Sequence, residues 1–365
     1  MTEPTVSNGS IEELRKVIDA TDAELFGLLE KRAKLARSIG KLKAAGAVYK
    51  PEREREIFER TVARAKTEGT LMSEEAIRSI VCEIISACRA VEAMPRVAFL
   101  GPRGTFTEEA VIRQFGSSIK ALPCGSLDEV FHEAASGTAD FAVVPVENST
   151  EGIVTRTADL LLTTPLKVIG EVNVAVHHNL MNRSGKREDI VEVHAHPQAL
   201  AQCRLWLMTH LPQAKLVPSS SNAQAAKEAT ADPKVAALAA ERAAALYELH
   251  IAAHAVEDDP RNCTRFLVLG KESCGKAQNV LHKTSLIFSV PNRAGALLDA
   301  LAPFAKYKVS MVRLESRPAR NGAWDYNFYV DVDGHIEDEP ISKAVEELGQ
   351  IALYLKILGS YTAAY

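Results

Sequence analysis

Apolar residues near the start of the chain recur at alternating spacings of three and four, which is the heptad pattern of a helix that packs along another helix. The pattern begins after Ser10, a predicted N-cap with Glu13 three residues later. Two shorter helical patterns follow at about 51–66 and 73–92, so the first segment is predicted to be all-α. The seam consists of Ile11, Leu14, Ile18, Thr21, Leu25, Leu28, Arg32, Leu35, Ile39 and Leu42.

The long first helix is too long for one compact domain. It would span roughly 50 Å, whereas a domain of ~90 residues has a radius of gyration of only ~12 Å. The two shorter helices cannot bury both of its ends. The pattern therefore predicts a homodimer in which two chains wrap their long helices around each other.

After Pro95 the pattern changes to short apolar runs that alternate with helical stretches. RVAFLG, DFAVVPVE and KVIGEVNVAV read as buried strands, which indicates the α/β class. Breaks at about Asn173 and Asp258 predict two lobes with a cleft between them. From about His282 the order of patterns is βαββαβ, which is ferredoxin-like. We expect a multidomain chain: an all-helical dimerising domain at 1–95, a two-lobed α/β domain at 96–275 and a ferredoxin-like α+β domain at 282–365.

The composition excludes several classes of protein. Of the 365 residues, 47% are hydrophobic and 25% charged, and the net charge of −4 gives no global bias toward nucleic acid. No apolar run approaches ~18 residues and the N-terminus does not read as a secretion signal, so we expect a cytoplasmic protein with no membrane partner. Six cysteines without C-x-x-C spacing are expected to be reduced thiols.

Polar groups stand where the predicted strands begin or end, and this is where α/β sheets bind ligands. Asn262, Cys263 and Thr264 precede a short buried strand, although such a loop can also hold a merely structural threonine. His194 and His196 lie two apart on one strand, but no third ligand is evident, so no metal site is predicted.

Arg32 in the apolar seam requires an anionic partner, because an unpaired buried charge is very costly. A carboxylate of the protein or a bound carboxylate ligand would satisfy it. The neighbouring Lys34 and Arg37 fit a solvated basic face.

The first segment contains several charged residues in short motifs: Arg15 in ELRKVID, Arg32 in LLEKRAKLA, Lys43 in IGKLK, Arg53 and Glu54 in PEREREIF, and Glu92. With these residues the segment resembles, over nearly its whole length, the all-helical chorismate mutase family. The resemblance implies that Arg15 of the partner chain joins two arginines of this chain in holding the carboxylates of chorismate. It also implies that Glu54 orients the ring hydroxyl and that Lys43 and Glu92 donate to the ether oxygen. This rearrangement needs no cofactor, because confinement and charge stabilisation carry the catalysis.

Glu92 departs from some members of that family, which have glutamine at this place. An ionised glutamate only accepts hydrogen bonds, so Glu92 must be protonated to donate. We therefore expect mutase activity to fall as the pH rises. The alternative is a solvent-facing glutamate at a helix end.

GPRGTF, PVENSTEG, HPQALAQC and NCTRF together resemble prephenate dehydratase over the middle segment. The resemblance implies that Thr264 is the central catalytic residue in forming phenylpyruvate from prephenate. It also implies that Asn148 and Ser149 lie around the substrate. The substrate carboxylates would be held by the glycine turn with Gly104 and Thr105, by helix starts and by Arg265. The family often has Ser-Thr where this chain has Ser221-Asn222, so a role for position 222 stays open.

Two motifs stand in the last segment, Gly295-Ala296-Leu297-Leu298 and Glu315-Ser316-Arg317-Pro318. They resemble motifs of the ACT regulatory domains attached to this dehydratase. In such domains phenylalanine binds between two paired copies, and the resemblance implies that it acts as an inhibitor here. The alternative is that these residues only start a helix and end a strand. The implied phenylalanine site consists of Asn292, Gly295, Ala296, Leu297, Leu298, Glu315, Ser316 and Arg317.

These resemblances imply a bifunctional enzyme that rearranges chorismate and then dehydrates prephenate. One alternative is an amino-acid-responsive binding protein whose helical arm only dimerises it. Another is a monofunctional dehydratase with a decayed mutase segment. The simultaneous presence of Arg15, Arg32, Lys43, Arg53 and Glu54 favours the enzyme, since dimerisation alone would not require these side chains.

Overall fold

The computed structural model describes residues 10–42, 49–319 and 326–364. Its first part is all-helical, as predicted, with α1 (Ile11–Leu42), α2 (Pro51–Glu68) and α3 (Glu74–Glu92). Ser10 and Glu13 form the predicted capping box, since each backbone N–H donates to the other's side chain, at 2.9 and 3.3 Å. Ser73 caps α3 by accepting from the N–H of Ala76.

Helix α1 contains no buried residue. Some residues in its second half are partly buried where the helix packs on α3. The rest of its apolar seam is exposed. Leu28, Leu35 and Ile39 are 64%, 58% and 53% exposed. A row of exposed apolar side chains at heptad spacing is typical of a helix whose partner lies on another chain.

The middle part consists of two lobes, each built on its own sheet. Its helices are α4 (Phe106–Phe115), α5 (Leu127–Ser136), α6 (Thr155–Thr163), α7 (Pro197–Gln202), α8 (Arg204–His210), α9 (Asn222–Ala229) and α10 (Glu241–Tyr247). Its strands are β1 (Arg96–Leu100), β2 (Lys120–Cys124), β3 (Phe141–Asn148), β4 (Gly152–Ile153), β5 (Lys167–Ala175), β6 (Asn179–Asn182), β7 (Glu192–Ala195), β8 (Lys215–Pro218), β9 (Val235–Ala239), β10 (His250–Ala253) and β11 (Cys263–Gly270).

Lobe one has the strand order β2-β1-β3-β11-β5, with β4 paired to β3, and lobe two has the order β10-β6-β9-β7-β8. The chain therefore crosses between the lobes twice, after β5 and after β10. Strand β11 runs antiparallel to β3, so its first residues lie beside the last residues of β3. This topology brings two polar motifs that are far apart in sequence to one edge of the sheet.

The last part has the predicted βαββαβ order, with the strand order β13-β14-β12-β15. Its elements are β12 (His282–Ser289), α11 (Ala296–Lys306), β13 (Met311–Pro318), β14 (Tyr326–Asp333), α12 (Glu339–Ile351) and β15 (Tyr354–Thr362). The two helices cover one face of this sheet, over Leu286, Phe288 and Val330. The other face packs on lobe one, where Tyr329 and Tyr361 join its buried core.

No helix within the described ranges is long and apolar enough to cross a membrane.

Candidate functional site

The polar edge of lobe one is centred on a pair of side chains, Asn148 at the end of β3 and Thr264 near the start of β11. These residues are direct cross-strand neighbours. The Asn148 amide nitrogen donates to the Thr264 hydroxyl at 2.9 Å and to the Asn262 side-chain oxygen at 2.8 Å. The Asn148 oxygen accepts the N–H groups of Thr150 and Glu151, both at 3.1 Å. These four hydrogen bonds, with a longer one to the Cys263 carbonyl at 3.5 Å, fix the Asn148 side chain.

Thr264 is partly exposed, and its oxygen already accepts the bond from Asn148. In the part of the chain that the structure describes, no acceptor is paired with its hydroxyl proton. The pair is therefore oriented so that a bound molecule can receive this proton in a hydrogen bond. Ser149 joins the same edge, since its backbone N–H donates to the Cys263 carbonyl and its hydroxyl accepts the Cys263 N–H.

Asn262, which is buried, contacts Asn148 of this pair; the sequence placed it in the polar triplet before the strand but assigned it no role. Asn262 lies two residues before Thr264, just ahead of the strand. Its place in the NCTRF motif is the sequence feature that could have predicted its role. Its oxygen holds Asn148, while its backbone oxygen accepts the N–H of Val176 where the chain leaves for lobe two. The crossover between lobes is therefore attached directly to the candidate site.

The glycine turn does not offer the open anion site that the sequence suggested. The Gly104 N–H donates to the Glu108 carboxylate at 2.7 Å, and Arg103 and Arg242 lie at 2.9 and 3.3 Å from the same group. Thr105 acts as the N-cap of α4. The turn is occupied by the protein's own anion because Glu108, four residues on, reaches back over the first helical turn.

Arg265 is also placed differently from the expectation that it holds a substrate carboxylate. Adjacent residues of a strand face opposite sides of the sheet, so Arg265 points away from Thr264. Its guanidinium lies 2.7 Å from Glu171, 2.5 Å from Asp331 and 2.9 Å from the Tyr361 hydroxyl. Burial lowers the pKa of Arg265, but Tyr361, Asp331 and Glu171 outweigh this and hold it above its ordinary value.

In the helical part, Arg32 and Glu54 lie close enough for the charge of Arg32 to act on the carboxylate. Nη1 of Arg32 donates to the Ile84 carbonyl at 3.5 Å, and within the described ranges no carboxylate forms an ion pair with Arg32. The alternative in which the protein's own acid neutralises this arginine is thus not favoured. Burial raises the pKa of Glu54, against the opposing effects of Arg89 and Arg32.

Arg89 is a site residue that the sequence reasoning missed. It is buried, and its Nη1 donates to Glu54 at 2.5 Å while its Nη2 donates to the Phe115 carbonyl at 2.5 Å. Arg89 lies three residues before Glu92, on the same side of α3. This spacing is the sequence feature that could have predicted its place near the candidate site. Arg89 thereby links the helical part to α4 of lobe one.

The other predicted mutase residues are spread more widely. The Glu92 side chain lies against Gly40 of α1, so tightly that a β-carbon at Gly40 would meet it at 2.4 Å. Lys43 lies outside the described residues. Arg53 is 57% exposed and pairs with Glu56, and Arg15 is exposed near the start of α1.

The chain's own Arg15 and Arg32 cannot serve one small ligand together. They are separated by 17 helical positions along α1, which corresponds to roughly 25 Å. Any site that uses both side chains must combine two copies of the chain.

A cavity of about 780 Å³ lies between the helical part and lobe one, with Tyr49, Arg78, Gln114 and Asn173 in its wall. Of the predicted mutase residues that the structure describes, Glu54 alone lines it, and Thr264 does not. It is therefore a crevice between domains rather than either predicted substrate site.

In the last part, Gly295 has φ +82, so its backbone adopts the left-handed conformation that favours glycine, and it forms the N-cap of α11. Ala296 is buried, Leu297 half-buried, and Leu298, Asn292 and Ser316 are exposed. Glu315 is half-buried on β13. Arg317 instead turns toward lobe one, where it donates to Thr155 at 2.8 Å and approaches Asp159 at 3.7 Å.

Among the described residues there is no cluster of three or more histidine, cysteine or acidic side chains that could hold a metal ion. His194 contacts Glu228 and Glu192, at 2.8 and 3.2 Å, which are ordinary hydrogen-bond distances.

Three family models match the chain in order. They are chorismate mutase type II over residues 14–93, prephenate dehydratase over 97–274 and the ACT domain over 284–350.

Two curated relatives cover nearly the whole chain. The bifunctional chorismate mutase/prephenate dehydratase of Neisseria gonorrhoeae is 44% identical over 362 residues, which is 97% of this chain and 99% of that protein. The protein of the same name from Aquifex aeolicus is 42% identical, over 97% of this chain and 98% of that one. Among solved structures, the prephenate dehydratase of Arthrobacter aurescens in complex with L-Phe is 36% identical with a TM-score of 0.68, covering 73% of this chain and 89% of that chain.

Proposed function

Because the chain belongs to the family of bifunctional chorismate mutase/prephenate dehydratases, we propose that it rearranges chorismate to prephenate and then converts prephenate to phenylpyruvate. The first reaction is assigned to the helical domain and the second to the two-lobed domain. The observation that carries the second assignment is the Asn148–Thr264 pair, which presents a hydroxyl proton at the edge of lobe one.

In the dehydratase reaction, the Thr264 hydroxyl donates a hydrogen bond to the ring hydroxyl of prephenate. This bond stabilises the departing oxygen as the carbon–oxygen bond breaks and hydroxide leaves, which takes a proton from solvent to become water, while the carboxylate on the same ring leaves as carbon dioxide and the ring becomes aromatic. Asn148 keeps the threonine oxygen in place as an acceptor, so the proton points away from the strand pair. No cofactor takes part.

The mutase site is proposed to combine two chains of a homodimer. The exposed apolar seam of α1 and the long separation of Arg15 and Arg32 both support this arrangement. Arg15 of one chain, with Arg32 and Arg53 of the other, would hold the two carboxylates of chorismate, and Lys43 and Glu92 would donate to its ether oxygen.

Phenylalanine is proposed to inhibit the dehydratase by binding at the ACT domain. The complex of the Arthrobacter protein with L-Phe supports phenylalanine as a ligand. The turn at Gly295 and the β13 residues Glu315 and Ser316 would line this site. A substitution of Gly295 by valine puts a branched side chain in a left-handed position, so inhibition should weaken strongly. Titration of dehydratase turnover with phenylalanine in both proteins tests this.

The assignment of both activities is tested by incubating the purified protein separately with chorismate and with prephenate, and following phenylpyruvate. The proposal expects phenylpyruvate from both substrates. Formation from prephenate alone would indicate a dehydratase with a decayed mutase segment. Absence of turnover together with binding of phenylalanine would indicate the amino-acid-responsive binding protein instead.

We also propose the domain limits 1–95, 96–275 and 282–365, and a cytoplasmic location. The family models, which match within or close to these limits, support the former.

A further inference from the structure

Two neighbouring rungs of the β3–β11 ladder face opposite ways. Asn148 and Thr264 form one rung, and Glu147 and Arg265 form the next. Since strand residues alternate between faces, the first pair points toward the substrate side and the second toward the ACT sheet. Each residue of the candidate catalytic pair is thus bonded directly to a residue of the charged pair, Asn148 to Glu147 and Thr264 to Arg265.

The ACT sheet meets Glu147 and Arg265 with a matching charged rung. Arg313 of β13 and Asp331 of β14 are cross-strand neighbours. Nη1 of Arg265 lies 2.5 Å from Asp331, and Nε of Arg313 lies 2.9 Å from Glu147. We call these four side chains the interdomain quartet. In it, each charged residue of the lobe-one sheet faces a residue of opposite charge on the ACT sheet.

The two ion pairs of the quartet differ in quality. Arg265 is also held by Glu171 and by the Tyr361 hydroxyl, so its guanidinium is well satisfied. Arg313 is close to Glu147, but its Nε–H is not aimed for a hydrogen bond, and its Nη2 has no hydrogen-bond partner within the described ranges. A buried donor without a partner costs about 1–3 kcal/mol. The Arg313–Glu147 contact is therefore the one that a small shift of β13 would change most readily.

Strand β13 also carries the residues proposed for phenylalanine binding. Glu315 follows Arg313 on the same face of the strand, and Arg317 lies two residues further on. Arg313 lies two residues before Glu315 and four residues before Arg317, so a ligand that moves β13 also moves Arg313. Arg313 in turn contacts Glu147, the residue that precedes Asn148.

We propose that Glu147 and Arg265 are positioning residues, through which the ACT sheet holds the Asn148–Thr264 pair in its reactive place. This inference rests on the proposed role of Thr264 in prephenate dehydration. Its physical basis is that a displacement of about 1 Å in a reacting group can lower a rate by ~100-fold. The ACT domain is then part of the active dehydratase even when phenylalanine is absent.

The first test compares Asp331→Asn with Tyr329→Phe in the full-length protein, without phenylalanine. Asp331→Asn removes the charge opposite Arg265, whereas Tyr329→Phe, two residues away on β14, removes a buried bond to the Ala158 carbonyl and leaves the quartet intact. We expect Asp331→Asn to lower the dehydratase kcat by about tenfold or more, with little change in KM. Tyr329→Phe should lower the melting temperature but leave kcat within about twofold.

The mutase activity of the same preparations reports whether the helical domain is intact, and their melting curves report whether the rest of the chain is folded. Equal dehydratase kcat in the two variants, or a parallel loss of both activities in Asp331→Asn, would overturn the inference. A wild-type protein that does not consume prephenate would instead overturn the proposed function, so the two failures are distinguishable.

The second test is a double-substitution cycle on the less buried pair, with Glu147→Gln, Arg313→Gln and both together. If the pair acts as a unit, the double variant should lose no more dehydratase kcat than the more affected single variant. Independent, multiplying losses would contradict a role for the pair. The cycle is informative even if Asp331→Asn folds poorly.

Discussion

The helical domain and the two-lobed domain assemble their candidate site residues in different ways. The helical domain offers positive charge on a long helix with no buried residue, and its predicted ligands lie far apart along one chain. The two-lobed domain offers neutral polar groups, Asn148 and Thr264, which one chain brings into direct contact at 2.9 Å.

The difference teaches which kind of site a single chain can complete. A sheet brings residues 116 positions apart into cross-strand contact, as with Asn148 and Thr264, so this candidate catalytic pair is formed by the fold of one chain. A helix fixes its residues at 1.5 Å intervals, so Arg15 and Arg32 can meet at one ligand only if a second chain is added. The two activities should therefore respond differently to substitution and to mixing of chains.

The largest effect is expected for Thr264→Ala. Loss of the hydroxyl that assists the departing oxygen should reduce dehydratase turnover by about 10²–10⁴-fold, while mutase activity is unchanged. Thr264→Ser, which keeps a hydroxyl, should retain much more activity than the alanine variant. Steady-state rates with prephenate and with chorismate measure both effects.

The control for this substitution is Thr138→Ala, an exposed threonine of the same lobe. It should leave both activities unaltered. Retention of most dehydratase turnover in Thr264→Ala would exclude the proposed role of this residue.

The second effect tests whether the mutase site is shared between chains. Arg15→Ala and Arg32→Ala should each lower mutase activity by about 100-fold, because each leaves a substrate carboxylate without its cationic partner. When the two variants are unfolded, mixed equally and refolded, half of the dimers are mixed and each has one intact site of two. About a quarter of wild-type mutase activity should therefore return.

Lys16→Ala, an exposed cation beside Arg15, serves as the control and should be fully active. If mixing restores no activity although mixed dimers form, the site lies within one chain. Dehydratase activity should stay constant through the whole series.

A smaller effect is expected for Glu92→Gln. A glutamine amide donates a hydrogen bond at every pH, whereas a glutamate donates only when protonated. The wild-type mutase rate should fall as the pH rises, by up to about tenfold per pH unit, and the glutamine variant should have a flatter profile. Glu75→Gln, at an exposed position of the same helix, should keep the wild-type profile; a steep profile in Glu92→Gln would rule out this role.

The smallest effect concerns the pH dependence of stability that arises from a buried histidine of the two-lobed domain. Burial lowers the pKa of His178 in lobe two below 6.5, against the opposing hydrogen bond with Gln202 and the charge of Glu257. The unfolded chain therefore takes up this proton first as the pH falls. The contribution of the neutral ring to stability is complete above about pH 6.5 and is lost as the pH falls toward the folded-state pKa, by at most about 1.4 kcal/mol per unit.

His178→Gln should accordingly show a shallower loss of unfolding free energy between about pH 7 and pH 5 than the wild type. Denaturant titrations at several pH values measure this slope. His132→Gln, at an exposed position, should keep the wild-type slope. Equal slopes in all three proteins would contradict the assignment to His178.

Much of the fold was predictable because each domain has a clear local period. The heptad seam predicted α1, alternation of apolar runs predicted the two-lobed α/β domain, and the final βαββαβ order was confirmed. The NCTRF and PVENSTEG motifs identified Thr264 and Asn148, which the structure brings together. Local patterns suffice for these features because strand and helix periods and turn residues are properties of short segments.

Other features were not predictable for equally physical reasons. Arg265 was expected beside the substrate, and the glycine turn at Gly104 was expected to be open. Both are engaged by acids of the protein, Arg265 by Glu171 and Asp331 and Gly104 by Glu108. Arg89 was missed because its partners, Glu54 and the Phe115 carbonyl, come from two other elements.

The amino-acid sequence by itself determined which elements form and which short motifs contain the candidate site residues, since these depend on neighbours within a few residues. Only the tertiary structure decided that Arg265 faces the ACT sheet while Thr264, one peptide bond away, lies on the opposite face beside Asn148. The physical reason is that a strand presents its residues alternately to two faces, and the domain that covers each face is set by packing between segments distant in the chain.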